Sequence, residues 1–125
     1  MDKDTKLCIS IASSPGNFGA NFHNSAYKQL NLNWVYIPRK IEYTSALESA
    51  IKGVRTLGIM GCSVSMPHKE AVIKCLDEMD TFAENIGAVN TIVKYQNKLI
   101  GHNTDVYGIE KCLHTIFQSE NMKFA

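Results

Sequence analysis

Residues 61–70 read GCSVSMPHKE, and the fold expected of the chain depends on how they are taken. Residues 59–64 form a short apolar run and are expected as a strand. Pro67 stops the pairing, because proline has no N–H to give to a ladder. It also suits a first helical turn, and Ser65 is of the type that caps free amides, so a helix is expected over 67–76 with Ala71, Val72 and Cys75 on its core face. Lys69 would then project from the opening turn of a helix at a strand's carboxyl end, where open α/β sheets place their ligand crevices. There the helix dipole would favour the neutral amine slightly. The plainer reading of Lys69 is a solvated surface lysine.

Working outward, residues 6–11 (KLCISI) alternate as a first strand, and SSPGNFGAN is a loop. Asn21 is expected to start a helix carrying Phe22, Ala26, Tyr27 and Leu30 on one face. Residues 33–37 (NWVYI) form a second strand ended by Pro38. Thr44 or Ser45 caps an amphipathic helix in which Leu47, Ala50, Ile51, Val54 and Leu57 recur at helical spacing, closed by Gly58. After the third strand and its helix, Asp80 caps a short helix closed by Gly87. Residues 91–95 and 98–101 flank Gln96-Asn97 as a hairpin. Asp105 heads a last helix with Val106, Ile109, Leu113, Ile116 and Phe117 along one face. Strands alternating with helices give an α/β fold: three layers, a mainly parallel sheet, an added β-hairpin and a C-terminal helix.

The 125 residues are expected to form a single domain. A net charge of +1 gives no electrostatic reason for nucleic acid or a membrane surface as partner, and small neutral or anionic ligands fit better. The charged start MDKDTK and the short apolar run behind it match neither a secretory leader nor a spanning segment, so a cytoplasmic location is expected. Cys8, Cys62, Cys75 and Cys112 form no C-x-x-C, and His23, His68, His102 and His114 have no ligand spacing, so no metal is expected. Nowhere does a G-x-G-x-x-G follow a strand, nor is there a G-x-x-x-x-G-K-[ST].

Three separated segments, SVSMPHKE (63–70), GAVNTIV (87–93) and GHNTD (101–105), resemble the signature segments of shikimate dehydrogenases in order and approximate spacing. IKGVRTLGIMG (51–61) and FHNSAY (22–27) extend the resemblance over nearly the whole chain. It covers the family's N-terminal, substrate-binding domain; the Rossmann domain that holds NADP would begin about where this chain stops, so that cofactor domain is expected to be absent. The resemblance implies reversible NADP-dependent conversion of 3-dehydroshikimate to shikimate. It makes Lys69 the catalytic lysine and Asp105 its carboxylate partner, with Ser65 and Asn90 hydrogen-bonding the substrate's hydroxyls. Oxidising a secondary alcohol does require a group that takes the hydroxyl proton as hydride leaves, a role worth roughly 10²–10⁴-fold in rate. Read without the family, Asp105 is a helix cap, Asn90 a strand-edge polar residue and Ser65 a cap.

Two departures bear on the substrate. The family's first loop carries S-K-S-P, whose serines bind the substrate carboxylate, and here Asn17 and Gly19 stand at those positions, with Ser13 and Ser14 a few residues earlier. Val106 stands where glycine usually follows N-T-D. A divergent branch is therefore expected, with quinate or another cyclic hydroxy acid as an alternative to shikimate. The competing class is a non-catalytic small-molecule-binding or interaction module derived from the same domain. A hydrolase with Cys62 or Ser63 as nucleophile and His68 as base is the weakest reading, since no G-x-S-x-G elbow is present. Self-association through the face left by the missing domain is a further expectation.

Overall fold

The computed structural model describes residues 1–105 of the chain. The elements in order are β1 (Lys6–Ala12), α1 (Phe18–Gln29), β2 (Trp34–Lys40), a 3₁₀ turn (Thr44–Ala46) leading into α2 (Leu47–Thr56), β3 (Gly61–Val64), a second 3₁₀ turn (Ala71–Cys75), β4 (Glu78–Met79), α3 (Thr81–Ile86), β5 (Thr91–Tyr95) and β6 (Lys98–His102). They build one six-stranded sheet in the order β2-β1-β3-β5-β6-β4. β1 runs parallel to β2 and β3, and β4 parallel to β6, whereas β5 is antiparallel to both its neighbours. The mixed, mainly parallel sheet matches the expected α/β class.

Both faces of the sheet are covered. On one, Ile9, Ile11, Cys62, Val64, Ile92 and Leu99 pack against Leu47, Ile51 and Val54 of α2, with Val72 and Ala83 completing the core. Leu47 and Val54 fall on the stripe read from the sequence, while Leu57 at its end is 75% exposed. α2 stops where Gly58 takes φ +67°, and the N–H groups of Gly58 and Ile59 return to Arg55 and Val54 in a Schellman motif. On the other face a smaller cluster joins Cys8 and Tyr36 to Ala20 of α1, with Tyr27, Trp34 and Met60 around it.

The hairpin forms as expected, with Gln96 and Asn97 both at positive φ, the backbone a two-residue turn of this hand demands. Asp80 caps α3 through its carboxylate, which accepts the Ala83 N–H at 2.8 Å, and Gly87 closes that helix at φ +75°.

Several expectations need correction. β2 does not end at Pro38 but pairs on to Lys40, which an edge strand allows because proline's missing N–H is tolerated there. Neither Thr44 nor Ser45 caps α2, whose N-cap position is Ala46 with no side-chain capping bond. The third strand starts at Gly61, not at residue 59, because Ile59 is still engaged in the end of α2. No helix starts at Pro67: the Met66–Pro67 peptide is cis, the His68 N–H closes a turn onto the Ser65 carbonyl at 3.0 Å, and only the 3₁₀ turn over Ala71–Cys75 follows. Lys69 therefore lies in a turn, and the helix-dipole argument for it lapses. α1 begins at Phe18, earlier than Asn21, and turns Ala20, His23, Asn24 and Tyr27 inward, leaving Phe22 and Leu30 63% and 67% exposed. The two-residue β4 has no periodic signal and was not anticipated. The helix expected from Asp105 onward lies outside the described residues.

Candidate active site

The carboxyl end of β3 and the starting end of β5 meet at one edge, and backbone bonds fix the segments that leave them. Val64 N–H donates to Asn90 C=O at 2.8 Å and Asn90 N–H to His102 C=O at 3.0 Å, locking β3, β5 and β6 at that edge. Ser65 N–H reaches Ile11 C=O at 2.9 Å, and Val89 N–H reaches Lys69 C=O at 2.8 Å. The turn over 65–70 is thus held from both sides, which places Lys69 at the mouth of the sheet.

There the Lys69 ammonium donates to Asp105 Oδ2 at 3.1 Å, with the two side chains 28% and 59% exposed. Asp105 is itself positioned: its N–H donates to Asn103 Oδ1 at 3.1 Å, while Asn103, almost fully buried, donates to the Ala88 carbonyl at 3.0 Å. Asn90 Oδ1 accepts from Thr104 N–H and from Thr91 Oγ1, and Asn90 Nδ2 donates to Thr104 Oγ1 at 2.9 Å. An asparagine amide has two acceptor sites and two donor hydrogens, so this network orients it and leaves one N–H for a ligand. Asn103, Thr104 and Thr91 were not singled out from the sequence, although each lies inside or beside the quoted G-H-N-T-D and G-A-V-N-T segments.

Ser65 belongs to a neighbouring cleft of ≈ 200 Å³, lined by Ser10, Ser14, Gly19, Tyr36 and Ser63 among others. Ser14 faces it; Ser13 is not among its lining residues, and its N–H goes instead toward the Met66 carbonyl at 3.4 Å. Asn17 stands exposed at the head of α1, makes no capping bond and is not brought against the other four predicted site residues. Gly19, two residues on, does line the cleft.

The hydrolase reading is overturned here. His68 is fully buried and its Nε2 lies 2.7 Å from the Ile41 carbonyl, to which it donates, so it serves no nucleophile. Burial pushes the Cys62 thiol up to about 12, which keeps it protonated and inert. Among the described residues no group of three or more His, Cys, Asp or Glu side chains is placed to hold a metal ion, and no helix is long and apolar enough to cross a membrane.

Fold and site together define an α/β domain with a lysine–carboxylate ion pair at the sheet's edge. Residues 11–92 match the shikimate dehydrogenase substrate binding domain, and the chain belongs to that family. It is 46% identical over 123 residues to a shikimate dehydrogenase-like protein of Haemophilus influenzae, covering 98% of this chain and 44% of that protein. A shikimate dehydrogenase (NADP(+)) of Pyrococcus furiosus is 43% identical over 96 residues, 77% of this chain and 35% of the relative. Among solved structures, that of a shikimate 5-dehydrogenase-like protein superposes with a TM-score of 0.88 at 44% identity, covering 94% of this chain and 42% of that one. A shikimate 5-dehydrogenase of Listeria monocytogenes in complex with shikimate and NAD superposes at 0.84 and 31% identity, covering 93% and 40%. The chain spans less than half the length of these relatives.

Proposed function

We propose that this chain is the substrate-binding, proton-handling half of an NADP-dependent oxidoreductase that interconverts 3-dehydroshikimate and shikimate, or a quinate-like cyclic hydroxy acid and its ketone. The observation that carries the reading is the Lys69–Asp105 pair at 3.1 Å beside the Asn90 amide. In alcohol oxidation a neutral Lys69 amine takes the hydroxyl proton as hydride departs; in ketone reduction its ammonium returns a proton to the carbonyl oxygen. Asp105 orients the amine and offsets the charge it acquires. The remaining N–H of Asn90 and the Ser65 hydroxyl hold ring hydroxyls, so that the reacting carbon lies against Lys69.

The dinucleotide, when bound, supplies or accepts the hydride. The described residues include no glycine-rich phosphate loop, so its binding is assigned to none of them, and no step is drawn through it. By itself the 125-residue chain is expected to bind substrate without turning it over. The same expectation follows from the second reading, a binding module without catalysis, which the replacement of both first-loop serines favours.

Chemical-shift perturbation with shikimate and quinate tests the proposal. Saturable shifts clustered at Ser65, Lys69, Asn90 and Asp105, weakened by Lys69→Ala, support it. Shifts elsewhere, or a Lys69→Ala chain that binds like the native one, reject it.

A further inference from the structure

Among the described residues His68 is the one polar side chain with no exposure at all, and no part of the proposed chemistry uses it. Its Nε2 donates to the Ile41 carbonyl at 2.7 Å, while Nδ1 is sealed from water and has no hydrogen-bond partner. Buried polar atoms are normally paired, and leaving one unpaired is destabilising. A leucine of nearly the same volume would fill the space without that loss. What leucine cannot do there is donate a hydrogen bond, so the imidazole's distinctive contribution is the bond from Nε2.

That bond ties together two segments at the mouth of the sheet. Ile41 directly follows β2; its N–H donates to the carbonyl of Ala12, the last residue of β1, at 2.8 Å, and its side chain packs on the main core. The acceptor is therefore fixed to the sheet. The donor lies in the turn over 65–70, next in sequence to Lys69. Backbone bonds hold that turn near its ends, through Ser65 to Ile11 and Lys69 to Val89, with a longer one of 3.4 Å from Ser13 N–H to the Met66 carbonyl. Of the side chains at 65–70, only those of His68 and Lys69 hydrogen-bond to another described segment.

A lysine stem is flexible and does not fix its own ammonium, so the place of Nζ depends on where the backbone starts the chain. A displacement of about 1 Å at a reacting group is enough to cost a large factor in rate. We infer that His68 is a positioning residue for Lys69: its Nε2–H clamps the lysine turn to the segment leaving β2 and so keeps the ammonium 3.1 Å from Asp105. The unpaired Nδ1 is what a ring donor at that point entails. This role rests on the dehydrogenase-type functional reading for what Lys69 does, and it adds a residue that reading does not use.

NMR and titration calorimetry on the 125-residue chain test the clamp. At neutral pH the ring nitrogens should show Nε2 protonated and Nδ1 bare; the opposite tautomer overturns it. His68→Leu removes the donor, whereas His68→Gln keeps an amide N–H able to reach the Ile41 carbonyl. The Lys69 Cε and Hε shifts report the ion pair, with Asp105→Asn marking its broken state. In His68→Leu these shifts should move toward that state, and shikimate affinity should fall about tenfold, the worth of one charged hydrogen bond. His68→Gln should restore the shifts and bring affinity within about threefold of native. A folded His68→Leu chain with native shifts and native affinity, whatever its stability, means that His68 only fills the core and overturns the clamp. So does a Gln variant as impaired as the Leu one. Where His68→Leu does not fold, His68→Met, which fills the space flexibly without a donor, decides by the same two readouts. The Lys69 shifts need no ligand, which separates the two failures. A native chain that does not bind shikimate, or binds it equally well after Lys69→Ala, overturns the functional reading, and the shifts still decide on His68.

Discussion

Asn24 offers the sharpest test of how the scaffold holds its site. β2 is an edge strand, and at its centre the Asn24 side chain acts as a one-residue substitute for a further strand: Tyr36 N–H donates to Asn24 Oδ1 at 2.8 Å, and Asn24 Nδ2 donates to Tyr36 C=O at 2.9 Å. Both bonds are partly buried. Each is worth about 1 kcal/mol net, and an orphaned donor adds up to about as much again where water cannot reach it. Asn24→Ala should therefore cost about 2 kcal/mol, a large share of a typical domain's stability. With a urea dependence of about 2 kcal/mol per molar, the unfolding midpoint should fall by roughly 1 M. Ser25→Ala, the next residue on α1 and exposed, is the control and should leave the midpoint near its native value or raise it. Amide exchange at Tyr36 should quicken selectively, because its N–H loses its acceptor. A midpoint within about 0.2 M of native, or unchanged Tyr36 exchange, would refute the reasoning, as it would mean water replaces the amide at no cost.

Other consequences follow from single contacts. The Leu99 N–H and the Arg55 guanidinium hold the Asp77 carboxyl below its ordinary value of 3.8. A lowered folded-state value means the stabilisation is complete above the unfolded value and is lost as pH falls through the folded one. Acid unfolding curves should accordingly be shallower below about pH 4 for Asp77→Asn, while its cost at neutral pH stays under about 1 kcal/mol because the ion pair is well exposed. Gly101→Ala would bring a Cβ to 2.7 Å from Leu76 Cδ1 and 2.8 Å from Val89 Cγ2, so urea unfolding should show a loss of about 1–3 kcal/mol; a neutral result would mean this corner of the core is loose. Phe18 and Phe22 are 85% and 63% exposed and stack on one another at 6.5 Å. Sedimentation should show concentration-dependent self-association that Phe22→Ser reduces, whereas a native monomer at every concentration would count against an interface there.

How far the sequence alone reached can be seen element by element. Leu47, Ile51 and Val54 repeat at the helical period, Gly58 and Gly87 sit where only a residue free of Cβ strain ends a helix well, and Asp80 caps in the ordinary way. Such features depend on neighbours a few residues away, so local pattern suffices. The sequence segments around Lys69, Asn90 and Asp105 were likewise legible, because each carries its residues at fixed spacing. What the sequence could not supply was how those segments meet. The turn at Pro67 replaces an expected helix because the Ser65 and Lys69 backbones are held by Ile11 and Val89, residues from other strands. The early start of α1 and its inward polar face follow from Asn24 and His23 docking on Tyr36. Tyr36 itself, alternating within a strand, gave no local sign that its hydroxyl would lie beside Gly19. Long-range contacts of this kind arise only when the sheet brings distant segments within hydrogen-bonding reach, and tertiary packing then overrides local preference.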